Sequence, residues 1–378
     1  MTDDPNQADR PVVVMLGGPS AEHDVSIVSG SAVARALAMA GRRVDRVVIG
    51  LDGRWWWLAG AGDAGRELAP ADFDDPGGLG AEGPLTSGAV LERLAAEELQ
   101  PVVFIALHGP FGEDGTVQAM LDAADLPYTG SGVAASAIGM DKALFKRLMR
   151  GLGLPVVDWR EISIRRWRSE PAGVLGELEA FAAGTGDARL IVKPDRLGSS
   201  VGMTLAHGPD ERAAALDAAF EHDSLAIVER YVSQARELEV AVLGNDPARI
   251  ELYGPGEVLS GHEFYDYAAK YTAGLSETSP SAELEPGQRA AILKIARDAY
   301  RAVGAEGFAR LDFLVQGDAI FLSEINTIPG FTTISLFPAM AAAGGYDFGK
   351  LAGRIVDLGV ERWSGRVRRR LVPGELPR

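Results

Sequence analysis

Short apolar runs of strand length alternate with longer stretches of helical spacing along most of the chain. Pro11–Leu16 and Pro101–Leu107 are continuous and apolar, the pattern of strands buried on both faces, and Val44–Gly50 reads as another strand. Between Leu16 and Val44, the spacing predicts a helix over 24–40 with Asp24 as its N-cap. That order predicts an open parallel α/β unit. Its turn, Gly17-Gly18-Pro19-Ser20, lacks the G-x-G-x-x-G spacing, which argues against a dinucleotide fingerprint. Residues 52–86 are rich in Gly, Asp, Ala and Pro and carry Trp55, Trp56 and Trp57. They read as a peripheral loop or small hairpin whose indoles pack on the domain. Further helices are predicted from Thr116 and over 141–150, 171–183, 209–222 and 288–303. Extended segments are predicted over 155–160, 189–193, 226–231 and 236–243. Residues 254–285 have no clear period but many aromatics, which predicts an ordered lid.

The most informative pattern lies at 307–326. Two arms, 307–315 and 319–326, alternate apolar with other residues around the turn Gln316-Gly317-Asp318, and so predict an antiparallel hairpin. A period of two puts Arg310 and Asp312 on one face, and Glu324 and Asn326 on one face of the other arm. An even register brings all four onto one surface, with Asp312 opposite Glu324. Asp312, Glu324 and Asn326 are hard oxygen donors suited to Mg²⁺ at nucleotide phosphates. Arg310 beside them can neutralise developing negative charge. A second candidate is Lys193 at the end of an apolar strand, followed by Gly198-Ser199-Ser200, a loop whose N–H groups can cradle phosphate. It is not a Walker loop. His108 and the Ser20–Glu22 turn both follow apolar strands, where functional loops of α/β sheets lie.

Composition narrows the class. The 378 residues are 47% hydrophobic and 24% charged, enough for two or three globular domains. There is no cysteine, which excludes disulfides, thiolate zinc sites and a Cys nucleophile, and is compatible with a reducing cytoplasm. The net charge of −16 and the absence of a basic stripe argue against nucleic acid. Arg366–Arg370 is read as a solvated terminal segment. No signal-peptide pattern or apolar run of about 20 residues is present, so no membrane span is expected.

Seven stretches occur in the order and spacing of one family. They are Gly17–Glu22, Leu107–Thr116, Met140-Asp141-Lys142, Lys193-Pro194 through Gly202, Phe264–Tyr271, Arg310-Leu311-Asp312 and Glu324–Gly330. Over roughly residues 11–358 the chain resembles D-alanine–D-alanine ligases of the ATP-grasp superfamily. The resemblance implies an α/β, three-domain ATP-grasp architecture. An N-terminal open-sheet substrate domain (1–132) precedes a central subdomain (133–230) and a C-terminal subdomain (231–378) that clasp ATP. The C-terminal one carries the lid 254–285 and the hairpin 307–326. The implied reaction joins two D-alanines through an acyl phosphate, for peptidoglycan precursors. The alternative is a relative using D-lactate or D-serine as second substrate.

The resemblance also implies roles. Lys142 and Lys193 contact the ATP phosphates, with Ser199 in the phosphate loop. Glu229 accepts from the adenine amino group and Glu237 from the ribose. Asp312, Glu324 and Asn326 hold two Mg²⁺ or Mn²⁺; a monovalent cation is a further candidate cofactor. Arg310 and the Gly330 N–H face the tetrahedral intermediate. Glu22 binds the ammonium of the first D-alanine, with His108 close by. Ser199 and Tyr271 bond toward Glu22, and Lys270 sits near the phosphates. Ser335 and Leu336 take the second carboxylate at a helix start. The implied setting is a cytoplasmic homodimer.

Overall fold

The computed structural model describes residues 10–61, 68–184, 187–260 and 276–366. Three sheets organise it. The first begins with β1 (Val12–Gly17), six residues all buried, which continues into helix α1 (His23–Met39) and β2 (Val44–Ile49). β1 pairs in parallel with β2 and with β5 (Val102–Ile105), as the apolar runs predict. The glycine-rich segment supplies an antiparallel strand pair, in line with the small hairpin expected there. β3 (Trp55–Leu58) pairs antiparallel with β2, and β4 (Glu82–Leu85) with β3, giving the order β4-β3-β2-β1-β5. Trp55 and Trp57 are buried, so packing is their role here. Trp55 meets Phe111 edge-on at 6.3 Å. Phe111 sits at φ 74, a conformation unfavourable for a bulky residue, and the indole buttresses it. The N-cap expectation is corrected: α1 starts one residue earlier, with Glu22 at its cap and no side-chain capping bond, while Asp24 lies in the first turn.

After α2 (Ser87–Ala96), α3 (Thr116–Ala123) and α4 (Val133–Met140), the side chain of Asp141 accepts the Leu144 N–H at 2.7 Å and caps α5 (Lys142–Gly151). The second sheet is antiparallel, ordered β6-β9-β7-β8. It contains β6 (Trp159–Ser163), β7 (Leu190–Pro194), β8 (Thr204–Ala206) and β9 (Leu225–Arg230). Helices α6 (Ile164–Ser169), α7 (Pro171–Ala183) and α8 (Pro209–Phe220) complete this unit.

The third sheet has the order β12-β11-β10-β13-β14 and is antiparallel throughout. Its strands are β10 (Arg236–Leu243), β11 (Glu251–Ser260), β12 (Ser276–Ser279), β13 (Phe308–Gln316) and β14 (Ala319–Asn326). The lid predicted over 254–285 is therefore partly strand at both ends; its middle, with Lys270 and Tyr271, lies outside the described residues. One face of the sheet, with Leu238, Val240, Val242, Leu311 and Phe313, packs on α9 (Pro286–Ala302). Helices α10 (Leu336–Ala343) and α11 (Phe348–Ser364) return to the first unit. Leu351, Ile355 and Val356 of α11 share one core with Val12, Leu37 and Phe104.

Candidate active site

Strands β13 and β14 carry the predicted polar face. Asp312 pairs with Glu324 and Arg310 with Asn326. The turn is tighter than expected: Gln316 pairs with Ala319, leaving only Gly317 and Asp318 between them. That register alone would set Asp312 opposite Ser323 and turn Glu324 to the core. A β-bulge at Ser323, between the Asp312–Glu324 and Phe313–Leu322 pairs, restores the parity. The neighbouring β10 sets Glu239 opposite Asp312, so Glu239, and with it Glu237, joins the same face.

Arg310 is the hub of that face. Its Nε and Nη2 donate to the two Asp312 oxygens at 2.7 and 2.6 Å, and Nε lies 3.2 Å from Glu239. Burial opposes its charge, but Asp312, Glu239 and Glu324 outweigh it and hold the guanidinium protonated. Asn326 Nδ2 also donates to Asp312 Oδ2, at 3.0 Å. Among the described residues, no three His, Cys, Asp or Glu side chains form a metal-binding group. The expected set is two carboxylates and an amide. Their oxygens on one surface fit a hard divalent cation, and Arg310 and Asn326 both donate to Asp312.

Two further elements meet this face. Lys142, first residue of α5, donates to the Leu197 carbonyl at 2.8 Å and reaches Glu324 at 3.4 Å. One turn on, Lys146 is fully buried and lies 2.8 Å from Glu229, which also receives Lys193 Nζ at 3.0 Å. Burial works against the Glu229 charge, yet the two ammoniums hold its carboxyl down to about 2. Sequence reading assigned Lys193 and Glu229 separately and missed Lys146, though its i+4 spacing from Lys142 was the available signal. Glu237 lies half-buried on β10.

At the other wall, the Ser199 hydroxyl donates to Glu22 Oε1, joining the second unit to the first. Ser199 and Ser200 both adopt left-handed backbone, φ 51 and 59, which turns the loop toward α1. Glu22 is buried, and its Oε2 finds no hydrogen-bond partner. Two glycines make room for that oxygen: a Cβ at Gly109 or Gly198 would sit 2.7 Å from it. A buried carboxylate oxygen in a glycine-walled cleft is suited to an incoming cation. His108 is committed on both ring nitrogens. Nδ1 donates to the Ile328 carbonyl at 3.0 Å, so Nε2, 3.0 Å from Ser29 Oγ, accepts that hydroxyl. Burial pushes its pKa down and keeps the ring neutral.

Beyond Ile328, Phe331 is buried among the rings of Phe104, Phe308, Phe337 and Phe348, and so pins the loop that carries Gly330. Ser335 N-caps α10, but its Oγ is shared with the Thr332 N–H (3.1 Å) and hydroxyl (2.8 Å) and makes no capping bond. Leu336 is buried, so only its N–H could serve a ligand. Besides Lys146, sequence reading missed Glu239, Ser29 and Glu113; the last two bond the 328–331 loop.

Three units thus converge on one cleft with a metal-type face, paired lysines and a cation-seeking carboxylate. A family model for the D-ala D-ala ligase N-terminus matches residues 11–131, and one for the C-terminus of the same family matches 148–357. The chain belongs to the D-alanine–D-alanine ligase family. It is 38% identical to the D-alanine–D-alanine ligase of Heliobacterium modesticaldum, over 97% of this chain and 98% of that one. It is also 38% identical to that of Deinococcus radiodurans, over 93% and 99%. The D-alanine-D-alanine ligase structure from Coxiella burnetii superposes with TM-score 0.73 at 30% identity, covering 94% and 95%. The VanG D-Ala:D-Ser ligase structure from Enterococcus faecalis gives TM-score 0.76 at 28%, covering 93% and 99%. The fold is that of the ATP-grasp ligases, as the resemblance implied.

Proposed function

We propose that the protein joins two D-alanines to D-alanyl-D-alanine with ATP, through an acyl phosphate, in peptidoglycan precursor synthesis. Supporting this, besides family membership, is the meeting of Glu22 and Ser199 at one wall of a cleft whose other wall carries Arg310, Asp312 and Glu324. Glu22 would take the ammonium of the first D-alanine through Oε2. The carboxylate of that first D-alanine would attack the γ-phosphorus of ATP, releasing ADP and leaving an acyl phosphate. Lys142 and Lys193, contributed by the second unit, would guide the phosphates. Glu229, already held by two lysines, would share one of its oxygens with the adenine amino group, and Glu237 would meet the ribose. Asp312, Glu324 and Asn326 would hold two Mg²⁺ or Mn²⁺, which offset triphosphate charge. A monovalent cation remains part of this reading.

The amine of the second D-alanine would then attack the acyl carbon, with phosphate leaving. Charge builds on the carbonyl oxygen, where Arg310 and the Gly330 N–H would receive it. The N–H groups at the start of α10, Ser335 and Leu336, would hold the second carboxylate. His108 would shape the pocket through the loop it holds rather than by proton transfer. Lys270 and Tyr271 belong to our reading of the lid, which would keep water from the acyl phosphate. We place the enzyme in the cytoplasm, as a homodimer with the three-domain division 1–132, 133–230 and 231–378. Among the described residues, no helix is long and apolar enough to cross a membrane.

Incubation with ATP, Mg²⁺ and D-alanine should release phosphate and form the dipeptide. Product only with D-serine or D-lactate as second substrate would replace the reading with that of the VanG-like neighbour or a depsipeptide ligase.

A further inference from the structure

Glu113 lies in the loop between β5 and α3, and its two carboxylate oxygens reach two different units of the molecule. Oε2 accepts the Gly109 N–H at 2.8 Å, and Oε1 accepts the Ile328 N–H at 3.0 Å across 215 residues of chain. The Gly109 peptide is the one packed against Glu22, since a Cβ there would lie 2.7 Å from Glu22 Oε2. The Ile328 peptide leads directly into Gly330. His108, from the same loop as Glu113, donates to the Ile328 carbonyl, so one loop holds that residue by both its N–H and its C=O. Ser29 adds a longer contact, accepting the Phe331 N–H at 3.4 Å. Gly330 therefore sits between residues 328 and 331, both anchored to the first unit.

We propose that Glu113 is a positioning residue for the ligation, fixing the Gly330 loop against the Glu22 pocket through its paired contacts to the Gly109 and Ile328 peptides. The proposal rests on the ligase reading above. Glu113 makes no claim on substrate. It sets the distance between the group that binds the ammonium and the N–H that meets the oxyanion. Such a distance matters because the stabilising donor must be aimed at the transition state, not the ground state. The charged groups facing the Glu113 carboxyl are Glu22 at the start of α1 and Arg310 on β13. Burial, then the Glu22 charge, push its carboxyl up to about 8. An ammonium on Glu22 would cancel that repulsion and favour the ionised form, whose oxygens can both accept. Substrate binding and a tightened loop are thereby linked.

The test uses the full-length enzyme with Glu113→Gln and Glu113→Asp, and reads D-alanine-dependent phosphate release, dipeptide formation and separate ATP binding. The amide of Gln can accept from one peptide only and presents an NH₂ to the other. A misplacement near 1 Å at the reacting centre predicts a fall in kcat on the order of a hundredfold for Gln. The affinity for ATP should stay within about twofold, because no Glu113 contact involves the nucleotide face. Asp keeps the charge but is shorter, and should recover part of the lost kcat. Folded Gln and Asp variants with kcat within about threefold of the parent would overturn the proposal. So would a loss of ATP binding in step with kcat, which marks a general collapse of the cleft. If Gln does not fold, the Asp variant decides alone: parental kcat rejects the positioning role, and reduced kcat with parental ATP binding supports it. A parent enzyme that releases no phosphate with D-alanine would instead overturn the ligase reading itself.

Discussion

At the residue scale, the cleft is built from groups whose neighbours were chosen to keep them charged or to leave room for charge. Gly198 and Gly109 are small because Glu22 lies where a side chain would begin. Gly198→Ala should displace the Glu22 carboxylate and raise the KM for D-alanine about tenfold or more, roughly 1.4 kcal/mol of lost binding. An unchanged KM would remove Glu22 from the pocket. Glu113 gives a pH signature. Its folded-state pKa, about 8, lies above the ordinary carboxylate value. The stability it contributes is thus fully present below that ordinary value and is lost as pH rises through about 8. Between about pH 5 and pH 8, the Tm of the parent should fall relative to that of Glu113→Gln, which does not titrate. Parallel Tm curves for the two proteins would refute this. The alternation of β13 and β14 made Arg310, Asp312, Glu324 and Asn326 legible from sequence. Glu113 was not, because a carboxylate in a glycine-rich loop acquires meaning only from the distant peptide it meets.

At the element scale, the hairpin shows how a correct surface can rest on an unforeseen device. A two-residue turn gives the wrong parity, and Ser323 corrects it by bulging out of the ladder. Deleting Ser323 should therefore leave Glu324 opposite Asp312 in a regular hairpin. We expect the deletion variant to keep Mg²⁺-dependent phosphate release within about tenfold of the parent, since the face and its donors persist. Deletion abolishing the activity of a folded protein would show that the bulge itself aims Glu324. The same scale corrects the lid: antiparallel pairing of β11 with β12 replaces its two ends with sheet. Sequence periodicity missed those strands because Gly254, Pro255 and Gly256 interrupt the first, and the second is four polar residues.

At the scale of the whole molecule, the last described helix returns to the first sheet. Helix α11 covers the first sheet, and Arg42 meets Asp357 at 2.7 Å across 315 residues. Phe331 and Phe337 lie in the same core as Phe104. A fragment holding only residues 11–131 would expose Phe104, which packs on Phe308 and Phe331, to water. It should fail to give a cooperative thermal transition by circular dichroism, and adding the 336–364 segment in one chain should restore it. A cooperative fold of the short fragment would show that the shared core is dispensable. Burial of this kind contributes roughly 25 cal/mol per Å² of apolar surface, so the missing helix is a large fraction of a marginal total.

The sequence alone determined the parallel strands of the first sheet, the polar face of the hairpin and the glycine-rich loops, because period, turn chemistry and motif spacing are local. Tertiary structure decided what those pieces touch. It made Glu229 the shared counter-ion of Lys146 and Lys193, bonded both nitrogens of His108, and tied Glu113 to a peptide 215 residues away. Burial sets the charge state of each such group, and burial exists only once distant segments have closed over it.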